Sequence, residues 1–353
     1  MRAVSAEGAV GAAGEGGPEA GAGRRPVVGW YAHHLGAGHV ARARVVAVHM
    51  QADVTILSSA PRPEDWPAAQ WVDLPRDDEP AGQDHTAGGV LHWAPLQHKG
   101  FADRMQLIAA WVAEHGPAVF VTDVSVEVAL LVRLLGVPVA TFVKPGDRSD
   151  RQHQLAYDSA TALLATWPEE ASIVGGWQPR WDAKTTWLGS FSRFDDRATA
   201  PPPQGRRVAL VWGAGGTDVT DAQIESARRA TPDWSWTVCR DVGPDALWES
   251  LQSADVVVGH AGQNVVSEVA AARRGSVIIA QRRPHDEQHF TVRGLEAAGV
   301  GHGLPAWPES DAWPGLLESA AGIDVDRWSR WTDGAGARRC AALLDSLAGV
   351  EDP

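Results

Sequence analysis

Cysteine is nearly absent. Cys239 and Cys340 are the only two in 353 residues, and a pair so far apart builds neither a disulfide framework nor a cysteine-based zinc site. Lysine is scarce as well, with Lys99, Lys144 and Lys184 alone, so nearly every basic residue is arginine. That bias, with abundant Ala and Gly, matches a GC-rich genome and carries no functional reading. Long apolar runs are missing too; none reaches the ~18 residues of a membrane span. Positive charge is in deficit, with 31 Lys and Arg against 44 Asp and Glu and a net charge of −13. A general polyanion binder is therefore excluded, and nucleic acid is not an expected partner. A local basic pocket for one phosphorylated ligand remains compatible with this balance.

The length predicts two domains, at roughly 100–200 residues each. The 17 Trp are expected mostly in cores and at a domain interface. Residues 1–25 are Gly, Ala and Glu with little else. They lack the apolar stretch of a secretory signal and are expected to form a disordered tail. An ordered domain is expected over 26–191, an exposed linker over 192–206, a second domain over 207–326 and a terminal helix within 327–353 that returns toward the first domain.

From Pro26 onward, apolar strand-like runs alternate with helical spacing. Runs at 27–31, 54–58, 119–123, 137–142 and 163–166 read as strands, and 40–50, 101–114 and 126–135 as helices. Arg193, Asp195-Asp196-Arg197 and Pro201-Pro202-Pro203 break the rhythm. It restarts with 208–212, 236–239, 256–259 and 277–280. This is the pattern of two doubly wound α/β domains, whose ligands bind at the carboxyl ends of the strands and so in a cleft between them.

The second domain carries the sharper chemistry. Strand 256–259 opens into His260-Ala261-Gly262-Gln263-Asn264-Val265-Val266-Ser267-Glu268, read as the start of a helix that runs to Arg274 and stops at Gly275. A Gly at a strand–helix junction lets backbone N–H groups approach an anion at the helix N-terminus. Gly213-Ala214-Gly215-Gly216-Thr217, after another strand, is a second candidate source of such donors. His260, Gly262, Asn264 and Glu268, followed by His285-Asp286-Glu287-Gln288, resemble the donor-binding segment of GT-B glycosyltransferases. The stretch from Ala254 to Val300 closely resembles the C-terminal half of the lipid-II-forming N-acetylglucosaminyltransferase family, the family 28 C-terminal domain. The resemblance implies that Glu268 binds ribose hydroxyls and that His260, with N–H groups near Gly262 and Asn264, holds a diphosphate. It further implies that Glu287 and Gln288 meet sugar hydroxyls, that Gly213, Gly215, Gly216 and Thr217 face the phosphates, and that Val242 lies near the base. Val265 departs from the family's Ser or Thr, and Phe290 stands near the place of an Asn.

In the first domain, strand 27–31 leads into His33-His34-Leu35-Gly36-Ala37-Gly38-His39-Val40-Ala41-Arg42. Gly36, Gly38 and Ala41 fit a dinucleotide fingerprint, but the next strand ends Leu57-Ser58-Ser59 without the acid that motif needs. The segment also resembles the Gly-x-Gly-His loop of GT-B enzymes, which implies that His39 faces the cleft from a helix N-terminus. A neutral imidazole there can take a proton from a hydroxyl; the other readings are a helix cap or a phosphate ligand. Asp123, ending a strand, is expected to orient His39 or accept a proton itself. His33 and His34, on the acceptor side with Gly36 and Gly38, should point opposite ways in an extended segment. No carboxylate has the spacing to complete a metal site with them, so no metal is expected. The polar-aromatic stretch 82–99, with His85, His92, Trp93 and His98, is placed near the acceptor.

The function these readings imply is a hexosyltransferase-type, inverting, metal-independent glycosyltransferase. It would use a nucleotide sugar, UDP-linked, as substrate with no further cofactor, and an unidentified hydroxyl acceptor. It is expected in the cytoplasm or peripherally at the inner membrane face. A UDP-sugar hydrolase or epimerase, or a silent nucleotide-sugar-binding protein, are the alternatives the same residues allow.

Overall fold

Short Val- and Ile-rich runs buried on both faces form parallel strands here, because helices on either side must cover them. The computed structural model describes residues 25–35, 38–67, 70–78, 84–212 and 218–350. The expected tail lies outside the described residues except for Arg25. The first half contains β1 (Val27–Tyr31), α1 (Gly38–Ala47), β2 (Asp53–Ser58), β3 (Trp71–Asp73), α2 (Lys99–His115), β4 (Val119–Thr122) and α3 (Val126–Leu134). It continues through β5 (Val139–Phe142), β6 (Gly146–Asp147), α4 (Arg151–Ser159), β7 (Ala162–Ala165), β8 (Val174–Gly175) and β9 (Thr185–Trp187). The second half has β10 (Arg207–Val211), α5 (Asp221–Ala230), β11 (Ser235–Cys239), α6 (Pro244–Gln252), β12 (Val256–His260) and α7 (Gln263–Ala272). After these come β13 (Gly275–Ile279), α8 (Glu287–Ala298), β14 (His302–Leu304), α9 (Trp313–Ala321) and α10 (Gly336–Leu347).

One sheet has seven strands in the order β3-β2-β1-β4-β5-β7-β9, and the other has five, β11-β10-β12-β13-β14. Every pairing in both is parallel. The strand order reverses between β1 and β4 in the first sheet and between β10 and β12 in the second. Such switch points leave a crevice at the carboxyl ends of the strands. β6 and β8 form a separate small ribbon beyond the first sheet.

Two sequence-based readings change. Helix α7 ends at Ala272, and Arg273, with φ of 54°, makes the left-handed turn; Gly275 opens β13 instead of closing the helix. The 192–206 stretch is not uniformly exposed. Phe194 is buried against Trp248, and Arg274 Nη1 donates to Ala200 O at 2.8 Å. An apolar ring among the acids and arginines docks this strap on the second domain.

Helix α10 lies on the first domain. Cys340, Ala341 and Leu344 join the core formed by Val28, Ala43 and Val46. Trp328, just before it, is fully buried and its indole N–H donates to Arg274 O at 2.8 Å. Asp345 accepts the backbone N–H of Gln51 at 2.9 Å and of Ala52 at 3.0 Å, which ties α10 to the turn between α1 and β2. Asp345→Ala leaves these donors beneath a buried side chain, and the expected loss is about 2–3 kcal/mol of unfolding free energy. Urea unfolding measures it; a loss under about 0.5 kcal/mol would show that α10 is not anchored there.

Candidate active site

Asp123 follows β4 directly at the first switch point. The Tyr31–Thr122 register sets its backbone N–H 3.2 Å from Tyr31 O, and its side chain is wholly buried. Three basic groups surround it. His39 Nδ1 lies 3.0 Å from Oδ2, Lys144 Nζ donates to Oδ1 at 3.1 Å, and Arg42 Nη1 donates to the same oxygen. His39 and Arg42 come from successive turns at the start of α1, and Lys144 from the end of β5. Burial alone would raise the Asp123 carboxyl, but Arg42, Lys144 and His39 outweigh it and hold it well below the usual carboxylate range. Burial also lowers Lys144, to about 8, against the pull of Asp123. For His39 burial again dominates, and its proton affinity falls below the ordinary 6.5 although Asp123 favours the charged ring. The imidazole is thus neutral at pH 7.

This cluster reaches across to the second domain. Gln263, the first residue of α7, accepts from Arg42 Nη2 at 2.8 Å and from Lys144 Nζ at 3.5 Å. Its amide nitrogen donates to Thr166 Oγ1 at 3.0 Å. A Cβ on Gly38, which opens α1, would stand 2.9 Å from the Asn264 amide nitrogen. The N-termini of α1 and α7 therefore meet face to face, and glycine at 38 permits the approach. Gly36, Gly213, Gly215, Gly216 and Thr217 lie outside the described residues.

His33 and His34 do not point apart. Their rings stack with centroids 4.7 Å apart and 15° between planes, because the chain bends after β1 instead of staying extended. His33 Nδ1 accepts the Leu35 N–H at 3.1 Å, and its ring meets His39 edge-on at 6.0 Å. Burial and the neighbouring His39 push His33 down to about 3. His34 Nε2 lies 4.0 Å from Asp78, within the first domain.

The second-domain residues divide. His260 Nδ1 accepts the Gly262 N–H at 3.0 Å, so a donor expected for phosphate is already used by the ring. Burial, with Arg283 adding to it, lowers His260 to about 4, which leaves a neutral ring with Nε2–H to donate. Val265 is a core residue whose side chain packs against Gly259, which accounts for an apolar group where a phosphate-facing hydroxyl was the family pattern. Glu268 pairs with Arg193 at 2.9 Å, and burial raises its carboxyl despite that partner. Gln288 has a structural role. Its Oε1 accepts the N–H of Ala261 at 3.1 Å and of Gln281 at 2.9 Å, so this oxygen clamps the ends of β12 and β13. Glu287 pairs with Arg148 of the first domain at 2.5 Å. Val242 is exposed between β11 and α6.

A cavity of about 160 Å³ lies between the domains, lined by Arg42, Thr166, Arg193, Asn264, Ser267 and Glu268 among others. The volume is below the roughly 300–1,000 Å³ typical of ligand pockets. Sequence reasoning missed Arg42, Lys144, Gln263, Arg193 and Arg148 as site residues. Arg42 and Gln263 stood inside the motifs already quoted; Lys144 and Arg193 carried no local signal.

No protein-family model and no curated protein sequence matches the chain. Solved structures do. The calicheamicin glycosyltransferase CalG4 superposes with a TM-score of 0.63 at 15% identity, over 94% of this chain and 100% of that one. A UDP-glucosyltransferase from Polygonum tinctorium gives 0.63 at 14% identity, over 93% and 100%, and MurG from Acinetobacter baumannii gives 0.60 at 14%, over 91% and 99%. The architecture is the GT-B fold, two Rossmann-like domains facing across a cleft. Among the described residues no helix is long and apolar enough to cross a membrane.

Asp123→Ala leaves Arg42 and Lys144 buried without their carboxylate, and the expected cost is about 3–5 kcal/mol. The folded carboxyl binds its proton less readily than the unfolded one, so this stability is present above the unfolded value of 3.8 and is lost as pH falls toward the folded value. Chemical unfolding of both proteins from pH 8 to pH 3 reads it. A wild-type advantage under 1 kcal/mol at pH 7, or one that grows on acidification, contradicts the assignment.

Proposed function

We propose that the protein is an inverting glycosyltransferase that moves a sugar from a nucleotide diphosphate, UDP first among them, to a hydroxyl acceptor. One observation carries this reading: His39 is held 3.0 Å from the fully buried Asp123, at the switch point of one domain and opposite the α7 N-terminus of the other. The GT-B fold of the structural relatives, one of them a UDP-glucosyltransferase, supports the transfer chemistry and the donor.

Asp123 fixes the working tautomer. With the proton on Nδ1 toward the carboxylate, His39 Nε2 offers its lone pair to an acceptor hydroxyl, and the imidazolium that forms is stabilised by the same carboxylate. The hydroxyl oxygen then attacks the anomeric carbon as the bond to the diphosphate breaks. On the donor side, the α7 N-terminus and His260 Nε2–H supply dipoles where leaving-group charge develops, so the donor phosphates require no metal and no further cofactor. Glu268 takes the ribose hydroxyls by exchanging its Arg193 partner, and Glu287 takes a sugar hydroxyl once the domains part.

Calorimetry with a panel of nucleoside diphosphates in EDTA is expected to show UDP binding, and failure of every nucleotide would refute the donor class. His39→Ala is expected to lower turnover by about 100- to 10,000-fold with donor affinity held within a few-fold. Because His39 must be neutral to act, the acid limb of kcat/KM should have its midpoint below the ordinary imidazole value of 6.5. Surviving turnover in the variant, or an acid limb above 6.5 in the wild type, would contradict His39 as the base.

A further inference from the structure

Four side chains that the transfer reading leaves unused converge at another point of the domain boundary. His92, Asp150 and His153 come from the first domain and His285 from the second, and one ligand atom from each lies within 4.8 Å of all the others. We propose that His92, Asp150 and His285 bind one divalent transition-metal ion of the zinc class, which bridges the two domains, with His153 orienting the carboxylate. The proposal rests on this cluster, in the arrangement in which Glu287 stays paired with Arg148.

The donor set suits such an ion. Imidazole and carboxylate together favour zinc and its neighbours over calcium or magnesium, which prefer oxygen alone. His92 Nε2 is 3.2 Å from Asp150 Oδ1 and His285 Nδ1 is 3.7 Å from Oδ2. Ligands about 2.0–2.1 Å from a tetrahedral zinc stand roughly 3.4 Å apart, so side-chain shifts of about an ångström close the site. His153 is distinct from the other two imidazoles. Arg148 Nη1 faces its Nε2 at 3.1 Å, which fixes the proton on Nδ1, and that N–H donates to Asp150 Oδ2 at 2.6 Å. A ligating carboxylate held by a second hydrogen-bonding group is the usual outer shell of a metal site. Arg148 is the adverse charge nearby, and Glu287 neutralises it at 2.5 Å. When the ion binds, it takes the place of the His92 proton that faces Asp150, and that proton moves to Nδ1 of the same ring. Three protein ligands leave a fourth position for water.

The frame around the cluster is built to hold these groups. Glu127 Oε1 accepts the backbone N–H of His92 at 2.8 Å. Asp150 caps α4, accepting the His153 N–H at 3.0 Å. His285 sits at φ of 60° and Asp286 at 54°, a left-handed pair that persists only where the surroundings impose it. Here they do: the His285 carbonyl lies where a Cβ on Gly146 would stand, 2.3 Å away. That close contact between the domains delivers the His285 ring to the cluster.

The test titrates the tag-free, EDTA-treated full chain with Co²⁺ and then Zn²⁺. The expected result is one equivalent bound, Kd on the order of micromolar or tighter, with Co²⁺ d–d absorption that Zn²⁺ abolishes and a rise in Tm with Zn²⁺. His92→Ala and His285→Ala should each lose the absorption and the Tm rise, although each carries a partly exposed ring whose removal leaves the cores intact. His153→Ala should weaken binding about 10- to 100-fold. Absence of saturable binding in the wild type, or affinity unchanged in the His92→Ala/His285→Ala double variant, would overturn the site.

Discussion

The fold of the cleft depends on one buried negative charge. Asp123 has no exposed surface, and a carboxylate there survives only because Arg42, Lys144 and His39 compensate it. That requirement fixes where three elements end. The start of α1, the end of β4 and the end of β5 must converge on one point, and the parallel order of β1, β4 and β5 is what brings them there. The same charge sets the state of the histidine. His39 stays neutral because its desolvation outweighs the attraction of a carboxylate already shared with Arg42 and Lys144. A site with Asp123 and His39 alone would hold a more basic imidazole.

The cations do a second task. Gln263 reads both Arg42 and Lys144 from the N-terminus of α7, so the buried charge of one domain is the docking point of the other. Glu287 with Arg148, and the close contact of Gly146 with the His285 backbone, repeat the pattern some way along the boundary. These polar contacts share the boundary with apolar packing: Ile173 lies against Gly294, Phe290 lies against Gly175, and one buried cluster runs through both domains. The strap around Phe194 stays with the second domain and carries Arg193 to Glu268.

Much of the architecture was legible in the sequence because buried parallel strands announce themselves as Val- and Ile-rich runs. The strands at 27–31, 54–58, 119–122 and 256–260 could be read for that reason. Short or half-polar elements such as β3, β9 and α4 could not, since their apolar content is supplied by neighbours far along the chain. The site shows the same division. His39, Asp123, Asn264 and Glu268 stood in motifs at strand ends, where position alone suggests chemistry. Lys144 and Arg193 acquire meaning only through partners 21 and 75 positions away, a relation no local pattern contains. His33 and His34 were misread because an extended segment was assumed where the chain bends, and the backbone role of Gln288 Oε1 was not legible because its partners are strand ends distant in sequence.

The central claim is that a nucleotide is held by the second domain while the first supplies the base. Amide hydrogen exchange on the full chain, with and without saturating UDP, tests it most directly. The account requires slowed exchange in 260–268, at the α7 N-terminus, with the sheet of the first domain, β1 through β5, essentially unchanged. Protection confined to the first domain, or none anywhere at UDP concentrations that saturate calorimetric binding, would contradict it.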